Sequence, residues 1–247
     1  MGKTILAATL ASFLVGNVQA DTIGVYLGGY LWNNQATGLV GEKSDLIDFN
    51  LSDQHQGSYF IAFEHPLPLL PNMMLSRTEL TTKGSTKLTN EFLYADQEFS
   101  SGTIIDTAFD ASYLDYTLYY ELFDNGLLSF DFGLTARDFD INVSASNDVA
   151  TSELSGSEFI PLLYASATIG LPFTGWNVFG QGHFLSLGEH TIHDYQLGIS
   201  YELLDNVLID LNLTLGYRST RLQLEDLDNL STDIEFDGLY FGGIVHF

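Results

Sequence analysis

The side chains with the most chemical potential in this chain are carboxylates. The segment LEDLDNLSTDIEFD carries Glu225, Asp226, Asp228, Asp233, Glu235 and Asp237. Oxygen ligands at that density could hold Ca²⁺ or Mg²⁺, with Glu225, Asp226 and Asp228 as the candidates. The spacing is not that of an EF-hand, and a solvated acidic loop accounts for the same residues more simply. A second group sets acids beside imidazoles: Asp53-Gln54-His55, and His190 to Asp194 in GEHTIHD. That is the material of acid–base hydrolysis. No serine nucleophile elbow, phosphate loop or two-histidine metal helix accompanies it. The chain has no cysteine, which excludes disulfides and thiolate metal sites. Nothing in the pattern calls for a cofactor.

A third group is spread over segments of strict two-residue period, the period of a β-strand. In LDYTLYYEL, Leu114, Tyr116, Leu118, Tyr120 and Leu122 share one face, and Asp115, Thr117, Tyr119 and Glu121 the other. LLSFDFGLTAR sets Leu128, Phe130, Phe132 and Leu134 against Asp131 and Arg137. DYQLGISYEL and NVLIDLNLTLGYRS do the same, placing Glu202, Asp210 and Arg218 on the polar face. Asp115, Glu121, Asp131, Arg137, Glu202, Asp210 and Arg218 thus form a candidate inward network, with the acids expected to pair with the two arginines. A structural network is favoured over a catalytic one, because ionic ladders fill narrow barrels.

The elements that would position these residues are strands of about ten residues, the length needed to cross hydrocarbon when tilted. Ten can be counted, at 22–32, 58–66, 73–83, 108–122, 127–143, 159–171, 177–185, 193–203, 207–222 and 235–247. The joins alternate between tight ones such as FDNG and LDN and longer acidic ones. An even number of antiparallel strands with short periplasmic turns and longer outer loops predicts an all-β fold: a closed up-and-down transmembrane β-barrel. No stretch of the chain is apolar for long enough to cross a membrane as a helix.

Residues 1–20 read as a signal peptide, with Lys3, an apolar run from Ile5 to Val15, and Val18 and Ala20 before the cut; residues 21–247 form the barrel domain. The balance of 32 acids to 8 bases, net −24, argues against nucleic acid as a partner. The ending GLYFGGIVHF resembles the β-signal read by the barrel-assembly machinery, with Gly242, Val245 and Phe247 at its marked positions and Tyr240 a partial match. With this ending the chain resembles, over its full length, the small outer-membrane β-barrel proteins of Gram-negative bacteria. That resemblance implies an outer-membrane location, contact with outer-membrane lipid and lipopolysaccharide, and no catalytic residues. Strand number alone is also similar to that of the omptin proteases, whose chemistry uses an Asp pair and an Asp–His pair; Asp226–x–Asp228 is the nearest second echo. The expected class is a structural or surface-interaction protein, then a narrow cation-preferring channel, then an omptin-type hydrolase.

Two hairpins align without a gap, YELFDNGLLSFDFGLTAR from Tyr120 and YELLDNVLIDLNLTLGYR from Tyr201, an offset of 201 − 120 = 81. Convergence and duplication explain this equally well. Three-residue loops centred on Asn125 and Asn206 would set Glu121 opposite Ser129, Tyr113 opposite Arg137, and Glu202 opposite Asp210. Gly126 suits the left-handed position of such a turn. Inward Tyr26, Tyr30, Tyr113, Tyr119 and Arg137 should fill the lumen, with Gly24, Gly28, Gly133, Gly198 and Gly216 making room for the rings.

Overall fold

The computed structural model of the protein describes residues 23–42, 45–67, 69–187, 190–206, 209–227 and 229–247. The expected signal peptide lies outside them. The strands in chain order are β1 (Gly24–Glu42), β2 (Asp45–Ile47), β3 (Gln54–Glu64), β4 (Asn72–Thr78), β5 (Thr81–Lys87), β6 (Phe92–Tyr94), β7 (Gln97–Phe99), β8 (Ile104–Asp110), β9 (Tyr113–Asp124), β10 (Leu128–Ser146), β11 (Thr151–Leu171), β12 (Trp176–Leu187), β13 (His190–Asp205), β14 (Asp210–Leu227) and β15 (Leu230–His246). Ten barrel staves result, because β4 and β5 form one broken stave and β8 and β9 another. All neighbours are antiparallel. β15 pairs with β1 from Tyr26–His246 to Glu42–Leu230, which closes the barrel. Phe247 exchanges both backbone hydrogen bonds with Val25. No backbone edge is therefore left facing lipid.

Several staves are much longer than ten residues: β1 and β10 have 19 and β11 has 21, while β3 has 11 and β12 has 12. This corrects the expected pattern of short strands and long outer loops. Three of the five joins at that end are short, from Ser146 to Thr151, from Leu187 to His190 and from Leu227 to Leu230. The physical reason is an inversion of face along the long staves, seen on β10 and β15. On β10, Leu128, Phe130, Phe132, Leu134 and Ala136 point outward as a continuous apolar row. Beyond them the outward residues are Asp138, Asp140 and Asn142, while Phe139, Ile141, Val143 and Ala145 turn inward and are buried. β15 switches at Asp237: Asp233, Glu235 and Asp237 lie outward above it, Leu239, Phe241 and Val245 below it. A strand surrounded by hydrocarbon carries its apolar side chains outside, and a strand surrounded by water carries them inside.

At about 3.3 Å per residue and a tilt near 40°, the apolar row of β10 spans roughly 23 Å, enough for the hydrocarbon of an outer membrane. Aromatic side chains ring both edges of this band, Tyr59, Tyr116, Phe159 and Tyr217 at one and Phe123, Phe173, Trp176 and Tyr201 at the other. The staves then rise a further 25 Å or so as a collar in water. Both described ends of the chain lie on the side opposite the collar, the periplasmic side of an outer-membrane barrel, and the collar faces outside the cell.

The repeated hairpins share one irregularity. A bulge at Leu122 shifts the β9–β10 register, and a bulge at Leu203 shifts β13–β14. The two bulges are again 203 − 122 = 81 residues apart. The ladders begin at Asp124–Ser129 and Asp205–Asp210, beyond the expected three-residue loops, and each bulge then shifts the pairing by one, so the expected cross-strand pairs are corrected: Glu121 lies opposite Asp131, Tyr113 opposite Phe139, and Glu202 opposite Asn212. Gly126 has the expected left-handed backbone, with φ 73°.

Candidate functional site

The functional features of a barrel lie in its lumen, and here the lumen is divided into three levels. The middle level is ionic. Arg137 on β10 donates through Nε and Nη2 to the two carboxylate oxygens of Asp115 on β9, at 2.8 and 2.7 Å. Its Nη2 also donates to Asp194 Oδ2 on β13 at 2.8 Å. Arg218 on β14 grips the same Asp194 through Nε and Nη2, at 3.0 and 2.9 Å. Tyr113 and Thr220 add hydroxyl bonds to Asp194 at 2.7 and 3.0 Å. The Arg137 guanidinium lies 3.7 Å from the Tyr113 ring centre, and that of Arg218 lies 5.2 Å from Trp32. Two acids balance two bases, and every member is buried. A small chamber of about 30 Å³ beside Asp115, His183 and Asp194 has room for about two waters.

This arrangement corrects the expected pairing. Asp115 bonds Arg137, while Arg218 bonds Asp194 rather than any of the expected acids. Glu121, Asp131, Glu202 and Asp210 do not reach the arginines, because the bulges and the tilt of the staves leave them near the periplasmic mouth. The carboxylate shared by both arginines is Asp194. Its place beside His190 in GEHTIHD suggests an acid–base pair, whereas its parity with Gln196 and Ser200 turns it inward.

Above the ionic level the collar is filled by side chains. Phe109, Phe139, Ile141, Phe236, Leu80 and Ile105 are among its buried residues. The β6–β7 hairpin lies across the top. Tyr94 Oη donates to the Val143 carbonyl at 3.1 Å, Ala95 N donates to Glu42 at 2.9 Å, and Ser152 Oγ donates to the Ala95 carbonyl at 3.1 Å. The lid is thus tied to both sides of the collar. Burial and the Glu42 carboxylate push the Tyr94 phenol up.

Below the ionic level is a cup of about 350 Å³ that widens toward the tight-turn side. Tyr26, Tyr119, Tyr164 and Phe179 line it together with Glu64, Asp131 and Asp210. Tyr26 stacks on His246 at 4.2 Å, and Tyr119 and Tyr164 lie 5.6 Å apart. Glu64 accepts from the Tyr119 hydroxyl at 2.7 Å, and Asp210 from His246 Nδ1 at 3.2 Å. Glycines make room for the rings as expected: a Cβ on Gly28 would stand 2.1 Å from Phe60, and one on Gly216 would stand 2.6 Å from the Tyr240 hydroxyl.

The acidic segment is not a loop. Asp233, Glu235 and Asp237 stand on the outer face of the β14–β15 hairpin, bonded to Arg221, Ser219 and Tyr217. Glu225 is exposed near His190; the Asp226 side chain and Asp228 lie outside the described residues. Among the described residues no three His, Cys, Asp or Glu side chains are placed to hold a metal ion. Asp53 and His55 lie by the outer end of the barrel, while Asp194 is bound in the ionic level. Of the β-signal positions, Gly242 packs against Tyr30, and Val245 and Phe247 face lipid.

No family model matches the chain, and no curated protein sequence matches it. Its backbone is similar to that of solved structures at low identity. The translocator domain of autotransporter NalP from Neisseria meningitidis is 10% identical, with 99% of this chain and 95% of that one covered and a TM-score of 0.48. The outer-membrane protease OmpT from Escherichia coli is 11% identical over 93% and 97%, with a TM-score of 0.41. Neisserial surface protein A is 12% identical over 92% and 97%, with a TM-score of 0.30.

Proposed function

We propose that this outer-membrane barrel protein is a structural or surface-interaction protein rather than a pore or an enzyme. The carrying observation is the filled lumen. A charge-balanced ionic level and an apolar collar stand in series between the periplasmic cup and the outside, and a lid is tied over the collar. Moving a hydrated ion along that axis requires breaking bonds of buried arginines, which is costly without replacement partners. The outer wall of the collar is polar and acidic, the surface available to other molecules outside the cell. Outer-membrane lipid and lipopolysaccharide are the partners of the apolar band.

Single-channel recording on refolded protein in planar bilayers tests this reading. The expected trace is flat at the resolution at which a general porin shows steady steps. Reproducible conductance, or passage of sugar-sized solutes from loaded vesicles, would put the channel reading first. Incubation with basic-residue peptides checks the third reading, with no cleavage expected.

A further inference from the structure

The periplasmic cup is lined by carboxylates that meet no Lys or Arg among the described residues. Glu64 and Asp131 stand in its wall and Asp210 at its mouth. Glu64 has the neutral Tyr119 hydroxyl as a donor, and Asp131 lies opposite Ser166 on one side and Glu121 on the other. The rim adds Glu202 and Asp205, the repeat equivalents of Glu121 and Asp124. Thr214 provides an independent pointer. It is 1% exposed, lines the cup, and its Oγ1 has no hydrogen-bond partner in the protein.

The rest of the lining is aromatic. Ring faces beside carboxylates recognise an ammonium group that carries alkyl surface. A bare divalent ion demands a tighter set of oxygen ligands than these residues offer. The volume, about 350 Å³, lies in the range of small-molecule sites. One level up, the chain satisfies the same chemistry with its own side chain: Arg137 rests on the Tyr113 ring between Asp115 and Asp194.

We propose that the cup is a binding site for a small organic cation of the alkylammonium class, entered from the periplasmic side. The site goes beyond the reading above, since a barrel can bind there whether or not it conducts. The test is calorimetric titration of the refolded full chain in lipid discs with tetraethylammonium and with putrescine. Saturable one-to-one binding is expected for at least one of them, with none for acetate or glucose. Glu64→Gln and Asp131→Asn should each weaken it about tenfold, the scale of a lost charged contact. Asp140→Asn on the outer collar should leave it unchanged. The proposal is overturned if neither ammonium binds saturably, or if both cup variants bind like the parent. A second measurement needs no variant: magnetisation transfer from tyrosine ring protons to the ethyl protons of bound tetraethylammonium should be observed. Its absence at saturating ligand would also overturn the assignment.

Discussion

Asp194 accepts hydrogen bonds from Tyr113, Thr220 and both buried arginines, so its removal leaves Arg218 without a carboxylate and the ionic level with one acid for two bases. Asp115 still holds Arg137, which is 0% exposed and cannot turn to solvent, so the unpaired positive charge stays buried. Asp194→Ala should therefore destabilise the barrel by about 3–5 kcal/mol, the usual cost of leaving a buried charge unpaired. Asp140→Ala, on the wet outer wall, should change stability by about 0.5 kcal/mol or less. Denaturant midpoints of refolded protein in lipid, compared at equal slope, check both values. At this scale the sequence told which way each side chain points and stopped there. Parity puts Asp115, Arg137 and Arg218 on the inward face, and all three are buried. Which acid meets which arginine depends on height across strands far apart in sequence, and Arg137 and Asp194 are separated by 57 positions. Alternation within one segment contains no such information.

At the scale of elements, the strand count was legible because each membrane-crossing row is greasy on one face and polar on the other. The strand ends were not, because the apolar face changes sides where the stave leaves the membrane. The run from Leu230 to Asp237 reads as an acidic loop if only an outward apolar row counts as strand; it is a strand with Leu230, Ile234 and Phe236 turned in. The register was missed for a different reason, since a bulge adds one residue without disturbing the alternation on either side. Two outcomes follow from the strands as they stand. Leu215, 51% exposed in the middle of the β14 row, should tolerate Arg poorly, at a cost of about 2–4 kcal/mol. Leu211, beside the periplasmic rim, should accept Arg for about 0–1 kcal/mol. Folding free energies in lipid distinguish them, and equal values would contradict the depth assignment. Deleting Phe247 removes both hydrogen bonds to Val25 at the seam that closes the barrel. The heat-modifiable folded band in outer-membrane fractions should fall sharply on this deletion, and an unchanged band would detach the terminal residue from assembly.

For the molecule as a whole, three barriers in series make the closure redundant. Replacing the β6–β7 lid by a short Gly-Ser turn should leave bilayers silent, because the collar and the ionic level still fill the lumen. Adding Arg137→Ala and Arg218→Ala, with Phe139→Gly and Phe236→Gly to open the collar, should give measurable cation current. Current from the lid deletion alone would show that the collar and the ionic level do not seal. The apolar faces also have a mechanical meaning. β10 and β15 are greasy outside below Asp138 and Asp237 and greasy inside above them. Sliding the barrel toward the periplasm by two residues would drive Asp138 and Asp237 into hydrocarbon; sliding it outward would lift Leu134, Leu239 and their neighbours into water. Carboxylates on one side and apolar side chains on the other act as opposed stops. The protein carries its own waterline, and the membrane can meet it at one height only.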